Sequence, residues 1–380
     1  MTSEPFDCLN HRPPPPAGRE LGIGAVGAGF IMRDCHLPAY AAAGYRVVGI
    51  TSRSLDRARE TAAINRIARV HDSLEELLAD PEVEVVDIAV PPADQPAMIE
   101  RVLSQGGSRV RGILAQKPLA LDIGTARRLV AACGASGVAL QVNQNMRYDH
   151  SARALKTLIE RGDLGEPILA TIELRAIPHW MPWAQGGRSL TTMIMSIHHL
   201  DVFRYWLGDP ERVMASSRPD PRTQFAHDDG INLYVLEFPS GARASGWDDV
   251  WSGPSREGSA GESFVRWRFE GTRGMAVGEI GWPGWPERVP STIDYTIADG
   301  RREWRRPRWS EAWFPDAFAG TMGGLLDALA NGTEPDIPGR DNLKTIALCE
   351  AVLASSREHR VTRLDEYDGS MIERRGDDTP

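Results

Sequence analysis

The 380-residue sequence lacks long apolar runs, and none approaches the roughly 18 residues that a membrane-spanning helix needs. It also lacks an excess of positive charge, since 52 acidic side chains outnumber 43 basic ones and leave a net charge of −9. A chain of this sign has no general affinity for nucleic acid or for an anionic membrane. Its opening residues are polar and rich in proline, without an apolar signal core. We therefore expect no nucleic-acid partner, no membrane partner and a cytoplasmic location.

Cysteine is scarce, with only Cys8, Cys35, Cys133 and Cys349 along the chain. Their spacing matches neither a disulfide framework nor a set of zinc ligands. We expect a reducing compartment and no metal.

The sequence does contain an alternation of apolar, strand-like runs with helical patterns over residues 20–145. Continuous apolar strands separated by helices are typical of a parallel sheet that helices cover on both faces. This predicts an α/β fold that opens with a Rossmann-type, doubly wound dinucleotide-binding domain. The length of the chain predicts a second domain, because single cores stop growing at roughly 250–300 residues.

After residue 145 the pattern changes to pairs of strand-like runs joined by tight turns. Over residues 146–366 this predicts an α+β domain with a largely antiparallel, open sheet, which serves substrate binding and oligomerisation. We expect the last helix, at about 340–359, to pack back on the first domain. The polar tails 1–19 and 367–380 are predicted to be disordered.

The first strand-like run ends in the glycine turn "VGAGFIMRD", where Gly27 and Gly29 immediately precede a helix. Glycines at this place let the backbone turn sharply and approach a diphosphate, which then lies at the helix N-terminus. The third position of the usual fingerprint holds Met32, so the motif is incomplete, and an ordinary tight turn is the alternative. We interpret the segment from Gly27 through Phe30 to Ile31 as the dinucleotide site.

The second strand-like run ends in "TSRSLDR", where an NAD-specific site usually carries an acid for the ribose 2′-hydroxyl. Ser52 and Arg53 stand there instead, with Arg57 one turn later. These side chains tolerate or attract a 2′-phosphate, so NADP is slightly favoured over NAD. The alternative is that Arg53 stacks over the adenine while NAD is bound.

Lys117 comes directly after an apolar run in the stretch "GILAQKPLALD". A buried strand has no structural need for a cation at its tip, although a lysine after a strand is commonly just a solvated loop charge. Doubly wound sheets bind ligands at the carboxyl ends of their strands. Lys117 is therefore a candidate functional residue, and Pro118 ends the strand at that point.

Three features together resemble the Gfo/Idh/MocA oxidoreductases, a family named after glucose–fructose oxidoreductase, inositol dehydrogenase and a rhizopine-catabolism protein. They are the glycine turn, the pair Pro91-Pro92 after "VDIAV", and the Lys-Pro after "GILAQ". The resemblance extends from about Leu21 to Tyr367 and implies NAD(P)-dependent chemistry. In the family the triplet is Glu-Lys-Pro, and its lysine reaches both the nicotinamide ribose and the substrate. Here the triplet is Gln116-Lys117-Pro118.

A second family motif, Asp-x-Gly-x-His-x-x-Asp, opens a helix in the substrate domain. In "IMSIHHLD" its four positions hold Ile194, Ser196, His198 and Asp201, so the histidine and the last acid are kept. In the family the first acid helps to hold substrate hydroxyls, which Ile194 cannot do. His199 is a second candidate for the base, and Asp201 is expected to orient or cap rather than react.

Lys117 and His198 together suit the oxidation of a secondary alcohol, which removes a proton from oxygen and a hydride from carbon. A nicotinamide accepts only the hydride. A neutral imidazole suits the proton transfer, and an ammonium beside the same oxygen stabilises the developing alkoxide. A single histidine in a helix is commonly a packing residue, but in the family's order and register we predict that both side chains are catalytic.

The resemblance, together with the chemistry of the side chains, gives the other expected site residues. The aromatic loop that carries Trp180 and Trp183 suits the apolar face of a sugar ring, with packing or a subunit contact as the alternative. Cofactor contacts are expected from Gly27, Gly29, Phe30, Ile31, Ser52, Arg53, Arg57, Pro91, Pro92, Gln95, Gln116, Lys117 and Asn145. Substrate contacts are expected from Lys117, Arg147, Tyr148, His179, Trp183, His198 and His199.

These features predict an NAD(P)-dependent oxidoreductase acting on a secondary hydroxyl or ketone of a sugar, sugar derivative, glycoside or cyclitol. One alternative, known in the family, is a redox-neutral enzyme that oxidises a ring carbon transiently, eliminates, and returns the hydride. Another is a non-catalytic sensor, which the changes at Ile194 and Gln116 favour slightly. The resemblance and the surplus of tryptophan also predict a homodimer or homotetramer joined through the open sheet face.

Overall fold

The computed structural model describes residues 9–176, 183–223, 225–250, 263–282 and 285–367. The chain divides into two compact units. The first unit consists of Pro13–Asn145 and Phe314–Leu343, and the second of the described parts of Met1–Arg12, Met146–Trp313 and Lys344–Pro380. None of the helices in the described residues is long and apolar enough to cross a membrane.

The first unit contains a five-stranded, all-parallel sheet in the order β2-β1-β3-β4-β5. Its short strands are almost wholly buried, which explains why they read as continuous apolar runs. The strands are β1 (Ile23–Val26), β2 (Val47–Thr51), β3 (Val85–Ile88), β4 (Gly112–Ala115) and β5 (Ala139–Val142). This confirms the prediction of a doubly wound first half.

Helices connect these strands and begin at polar caps. The side chains of Ser54, Ser73 and Asp122 each accept a hydrogen bond from a backbone N–H of the helix that follows. The connecting helices are α1 (Leu37–Ala43), α2 (Leu55–Asn65), α3 (Leu74–Ala79), α4 (Gln95–Gln105) and α5 (Ile123–Ala135). A π-helical turn, Ile31–His36, runs directly into α1.

The second unit contains an eight-stranded sheet in the order β12-β11-β10-β6-β9-β8-β7-β13. Every neighbouring pair is antiparallel except β6 with β9, as the hairpin-like pattern predicted. The strands are β6 (Pro167–Arg175), β7 (Arg212–Arg218), β8 (Ile231–Glu237), β9 (Arg243–Asp249), β10 (Phe264–Gly271), β11 (Gly274–Glu279), β12 (Thr292–Ile297) and β13 (Thr362–Arg363).

Two helices, α6 (His150–Glu160) and α7 (Ile197–Leu207), pack against this sheet and against each other. Their contact with it is apolar and aromatic, since the ring of Trp206 lies 5.5 Å from that of Trp267 on β10. Both tryptophans are almost completely buried. The sheet therefore has one face on the core of its own unit, which leaves the other face for solvent or a partner.

Residues near both ends of the sequence differ from the predicted domain limits. Leu9 is buried and its carbonyl accepts a hydrogen bond of 2.6 Å from the Thr157 hydroxyl. In the first unit the Ala17 N–H donates to Asp327 Oδ1 at 3.0 Å. The predicted tail 1–19 is thus packed from residue 9 onward. Its polar, proline-rich composition gave no sign of this, because the partners lie 148 and 310 residues away in the sequence. Residues 1–8 and 368–380 lie outside the described residues.

The last two helices also divide differently from the prediction. Helix α8 (Trp313–Asn331) belongs to the first unit from Phe314 onward, where Leu325 and Leu329 pack beside Gly112 of β4. Helix α9 (Gly339–Glu358) belongs to the second unit from Lys344 onward, where the Ser355 and Ser356 hydroxyls accept hydrogen bonds from β7. Apolar periodicity marks a helix but does not say which sheet it covers, so the sequence placed the α8 segment in the wrong domain.

Candidate functional site

The candidate residues of the first unit lie along one edge of its parallel sheet. Thr51, Val26, Ile88, Ala115 and Val142 are cross-strand partners in a continuous row and are the last residues of their strands. The segments that follow them all emerge on this carboxyl edge, where open α/β sheets bind their ligands. They are the Ser52-Arg53 segment after β2, the glycine turn, the Pro91-Pro92 segment, the Gln116-Lys117 turn and the Asn143–Asn145 segment.

Gly27 occupies a backbone position that only glycine fits. Its φ is 107°, and a Cβ there would lie 2.3 Å from the Ala89 carbonyl oxygen. Its N–H donates to the Thr51 carbonyl at 2.9 Å, which ties the turn to β2. The tight turn that the sequence predicts after β1 is therefore present.

Gly29 serves a different purpose in the same turn. A Cβ there would meet nothing within 4 Å, and the next residues, Phe30 and Ile31, open the π-helical turn. An uncovered backbone at the beginning of a helix is the place where a dinucleotide diphosphate binds. The open space at Gly29 therefore fits that group.

Met32, which stands at the third glycine position of the usual fingerprint, does not disturb this arrangement. Its side chain is completely buried and packs in a cluster with Ala25, Ala28, Leu37 and Ile50. The third glycine normally allows close packing of helix on strand. Here a wider, π-helical turn holds a large apolar side chain at that place.

The end of β2 presents two cations to solvent. Arg53 has a side chain that is 91% exposed and lies 3.8 Å from a carboxylate oxygen of Asp94, while Arg57 is exposed on α2. Ser52 is half-buried. Exposed guanidinium groups can move to meet a phosphate, and they form bidentate hydrogen bonds with it.

Gln95, predicted to contact the cofactor, is instead used inside the protein. It is completely buried, and its Nε2 lies 2.6 Å from the Gln116 carbonyl, 3.0 Å from that of Pro118 and 3.1 Å from that of Leu119. Its Oε1 accepts a hydrogen bond of 2.8 Å from the Gln116 N–H. Gln95 therefore holds the turn that carries Lys117. The sequence carried no signal of this, because the partners are backbone groups about 20 residues away.

The lysine turn itself is well ordered by such contacts. The Lys117 N–H donates to Gln116 Oε1 at 2.8 Å, and Lys117 is half-buried whereas Gln116 and Pro118 are buried. Asn145, also predicted to contact the cofactor, is buried at the end of the first unit. Pro91 is half-buried and Pro92 buried, and the Pro91 carbonyl begins α4 by accepting from Asp94 and Gln95.

His198 and His199 have different surroundings in the second unit. The His198 ring lies perpendicular to that of Trp313, at a centroid distance of 5.0 Å. His199 is completely buried, with Nδ1 2.8 Å from Oδ1 of the buried Asp248 on β9. His198 is also buried, at 2% exposure, so burial does not distinguish the two histidines, and the choice of His198 as the base stays a prediction.

An acid that the sequence did not single out caps the start of the histidine helix, which is the π-helical turn Thr192–Ser196 together with α7. Asp229 is buried and accepts hydrogen bonds from the N–H groups of Thr191, at 3.1 Å, and Thr192, at 2.8 Å. Burial raises the pKa of Asp229, and its hydrogen bonds oppose that shift. In the sequence it looks like part of a polar turn, because the helix that it caps lies 37 or 38 residues earlier.

Asp201 is held by other side chains of the second unit, and its orienting role stays a prediction. Arg147 contacts both of its oxygens, at 2.6 and 2.7 Å, and the Thr345 hydroxyl donates to it at 2.7 Å. Arg147 is thus bound by a carboxylate, and the ring of Tyr148 is buried under Arg153. Their predicted contact with substrate stays a prediction.

The other predicted substrate positions are only partly described. Ile194 is 8% exposed within the π-helical turn Thr192–Ser196, and the Ser196 hydroxyl bonds to Asp248 and Asn232. Trp183 is 40% exposed, whereas His179 and Trp180 lie outside the described residues. Within the described ranges no group of three or more His, Cys, Asp or Glu side chains is arranged to hold a metal ion.

The glycine turn and the lysine turn on one sheet edge of the first unit are typical of a dinucleotide-dependent oxidoreductase. A family described as oxidoreductases with an NAD-binding Rossmann fold matches residues 21–144, and the GFO/IDH/MocA C-terminal domain matches residues 152–277. The chain belongs to the Gfo/Idh/MocA oxidoreductase family, as its motifs predicted.

Individual relatives are similar over most of the chain. D-apiose dehydrogenase of Paraburkholderia graminis is 26% identical over 345 residues, which are 89% of this chain and 88% of that protein. The 1,5-anhydro-D-fructose reductase of Ensifer adhaerens is 29% identical over 267 residues, which are 67% of this chain and 74% of that protein. A solved oxidoreductase from Agrobacterium radiobacter, in complex with NAD+, L-tartaric acid and magnesium, has a TM-score of 0.77 at 23% identity. The match covers 93% of this chain and 99% of that one, and it shows a shared fold.

Gly29→Val is expected to weaken dinucleotide binding by about tenfold or more, because a branched side chain would fill the space that the diphosphate needs. The fold should be unaffected, since nothing lies within 4 Å of the added Cβ. Gly134→Val on α5 is the matched control, as its Cβ also meets nothing. Calorimetric titration with NAD and NADP measures both variants. Equal affinities would contradict the placement of the diphosphate.

Proposed function

We propose that this protein is an NAD(P)-dependent oxidoreductase that moves a hydride between the nicotinamide and a secondary hydroxyl or ketone of a sugar, sugar derivative, glycoside or cyclitol. The observation that carries the proposal is the Lys117 turn, which lies on the same sheet edge as the glycine turn of the cofactor site. The names of two relatives, a sugar dehydrogenase and a sugar reductase, support a carbohydrate substrate.

The cofactor supplies hydride acceptance or donation, and the chain's residues supply binding and proton chemistry. Gly27 and Gly29 admit the diphosphate, and Arg53 and Arg57 meet the adenosine ribose. The Lys117 ammonium stabilises the negative charge that develops on the substrate oxygen, an effect worth a few kcal/mol in a dry site. His198 accepts the hydroxyl proton during oxidation and returns it during reduction.

Turnover of D-apiose and of 1,5-anhydro-D-fructose, followed through the absorbance of the reduced cofactor, tests the reaction class. Reduced cofactor should be formed or consumed in proportion to substrate. Product without any net change in cofactor would replace the proposal with the redox-neutral reaction. Bound cofactor with no turnover of any sugar in a broad panel would replace it with a sensor.

Lys117→Ala should lower kcat by roughly a hundredfold or more, the usual scale for losing a preorganised charge partner. His198→Ala should lower kcat by about 10²–10⁴-fold and remove the acidic limb of the pH–rate profile, because the general base is gone. Lys344→Ala, which removes an exposed lysine paired with Asp209, is the control and should leave kcat unchanged. If His199→Ala abolishes turnover while His198→Ala does not, the assignment of the base is wrong.

Arg53→Ala and Arg57→Ala should weaken NADP more than NAD, because a guanidinium pairs with the 2′-phosphate that only NADP carries. We propose NADP as the slightly favoured cofactor on this ground. Arg59→Ala is the matched control, since this arginine lies on the same helix and pairs with Asp56. Dissociation constants for both cofactors decide the question. Equal losses for NAD and NADP would count against a 2′-phosphate contact.

The outward face of the second unit's sheet supports a homodimer or homotetramer. Three apolar side chains are exposed there: Met214 at 39%, Leu233 at 49% and Val235 at 36%. Leu233 is the cross-strand partner of the half-buried Trp247 on β9, and Val235 is the partner of Met214 on β7. Apolar side chains gathered on an open sheet face are typical of a protein contact. We propose that a second copy of this chain covers them.

Leu233→Glu should shift the protein toward monomer, because it places a charge in the middle of this face. Ile64→Glu, at an apolar residue of α2 that is 59% exposed, is the control and should leave the assembly intact. Sedimentation velocity at micromolar concentration measures the size of both variants and of the wild type. A monomeric wild type would refute the contact.

A further inference from the structure

A buried polar chain lies behind the lysine turn and has no part in the function proposed so far. His36 Nδ1 lies 2.7 Å from Asp87 Oδ2, and His36 Nε2 lies 3.3 Å from Nε2 of Gln116. Gln116 in turn accepts from the Lys117 N–H at 2.8 Å. His36 and Asp87 are completely buried and Gln116 is 9% exposed, so the bonds at His36 are shielded from water and the Lys117 bond is partly shielded.

The direction of each hydrogen bond follows from one group that can only donate. The Lys117 N–H must donate, so Gln116 presents its carbonyl oxygen to Lys117 and its NH₂ to His36. His36 Nε2 must then accept and carry no proton. The ring proton therefore lies on Nδ1, where it is donated to the Asp87 carboxylate. The Asn143 amide, 2.9 Å from His36 Nε2, fits the same neutral tautomer.

The other groups around His36 leave this assignment unchanged. The Tyr40 hydroxyl donates to Asp87 Oδ2 at 2.8 Å, and burial raises the pKa of Tyr40 well above its ordinary value, so it stays neutral. The Phe318 ring of α8 lies 5.0 Å from the imidazole and carries no charge. Asp87 is thus the one charged side chain in contact with His36 among the described residues.

We propose that Asp87, His36 and Gln116 are positioning residues for Lys117. Asp87 selects the His36 tautomer, the tautomer selects the orientation of the Gln116 amide, and the amide holds the Lys117 backbone where its ammonium can meet the substrate oxygen. A buried pair of this kind adds little to stability by itself, so positioning accounts for its presence better than fold stability does. The last step rests on the proposed function of Lys117, whereas the hydrogen-bond chain does not.

The same chain accounts for glutamine in the triplet where the resemblance leads one to expect glutamate. A carboxylate at residue 116 has no N–H to give, so it could contact Nε2 only if His36 carried a second proton. With glutamine the imidazole stays neutral and Asp87 remains the single charge. The change from acid to amide therefore alters the charge of His36 and leaves the hydrogen bond to the Lys117 N–H in place.

The first experiment reads the tautomer directly, without any assay of activity. In ¹⁵N-histidine-labelled full-length protein at neutral pH, His36 should show a protonated Nδ1 and an unprotonated Nε2. Its signals are identified by their loss in His36→Gln. In Gln116→Glu both ring nitrogens should be protonated. A proton on Nε2 in the wild type would refute the proposed hydrogen-bond chain, and so would unchanged protonation of the His36 ring in Gln116→Glu. Neither result depends on the role of Lys117.

The second experiment connects the chain to catalysis. Gln116→Leu should lower kcat by roughly ten- to hundredfold, since small misplacements of a catalytic group cost that much. Gln116→Glu should keep kcat within about threefold, because its carboxylate still accepts from the Lys117 N–H. Thr157→Val is the control: it removes a buried hydrogen bond in the second unit, from the Thr157 hydroxyl to the Leu9 carbonyl, that shares no residue with the His36 network. It should lower the melting temperature without changing kcat or the His36 signals.

The outcomes separate this inference from the proposed function. If the tautomer is as stated but neither Lys117→Ala nor Gln116→Leu changes turnover, the hydrogen-bond chain is supported and the catalytic role of Lys117 is refuted. If Lys117→Ala abolishes turnover while Gln116→Leu keeps kcat within about twofold, Lys117 is catalytic and the positioning role is wrong. If Thr157→Val lowers kcat as much as Gln116→Leu, the loss reflects general packing, and the inference fails.

Discussion

The parallel pairing of β1, β3 and β4 is the constraint on which the first unit's candidate site depends. Parallel strands send all their carboxyl ends to one edge, and Val26, Ile88 and Ala115 lie side by side there as cross-strand partners. Loops that are far apart in the sequence therefore begin on neighbouring strands, which lie about 5 Å apart. The glycine turn and the lysine turn need no further device to share an edge.

Once the loops emerge at that edge, buried polar side chains decide their shape. Gln95 holds the carbonyl groups of the lysine turn, and Gln116 holds its N–H while contacting His36. In the second unit, Asp229 caps the histidine helix and Asp201 binds Arg147. In both units the segments that carry the candidate residues are thus held by buried or part-buried hydrogen bonds, with which water competes less than at the surface.

The local features of the candidate site are those that could be predicted from the sequence. Gly27 is required by a positive φ and by the nearby Ala89 carbonyl, and a glycine turn after an apolar run is the ordinary sign of both. Gln95 was expected at the cofactor from the family resemblance, but its hydrogen-bond partners lie in the lysine turn. Asp229 went unnoticed because its partners also lie far away in the sequence. Composition likewise predicted disorder in a segment where Leu9 is buried.

The sequence by itself determined the class of fold, the family and the candidate residues for its chemistry, because strand periodicity, glycine turns and the Lys-Pro and histidine motifs are all local patterns. Only the tertiary structure decided to which unit α8 belongs and what Gln95 and Asp229 bind. It alone also showed that Asp87 and His36 are hydrogen-bonded to each other and His36 to Gln116. These are contacts between residues 20 to more than 200 positions apart, as between Gly112 and Leu329. A hydrogen bond or a packing contact at that separation leaves no periodic trace in one sequence, since either partner alone looks like any other buried amide, acid or leucine.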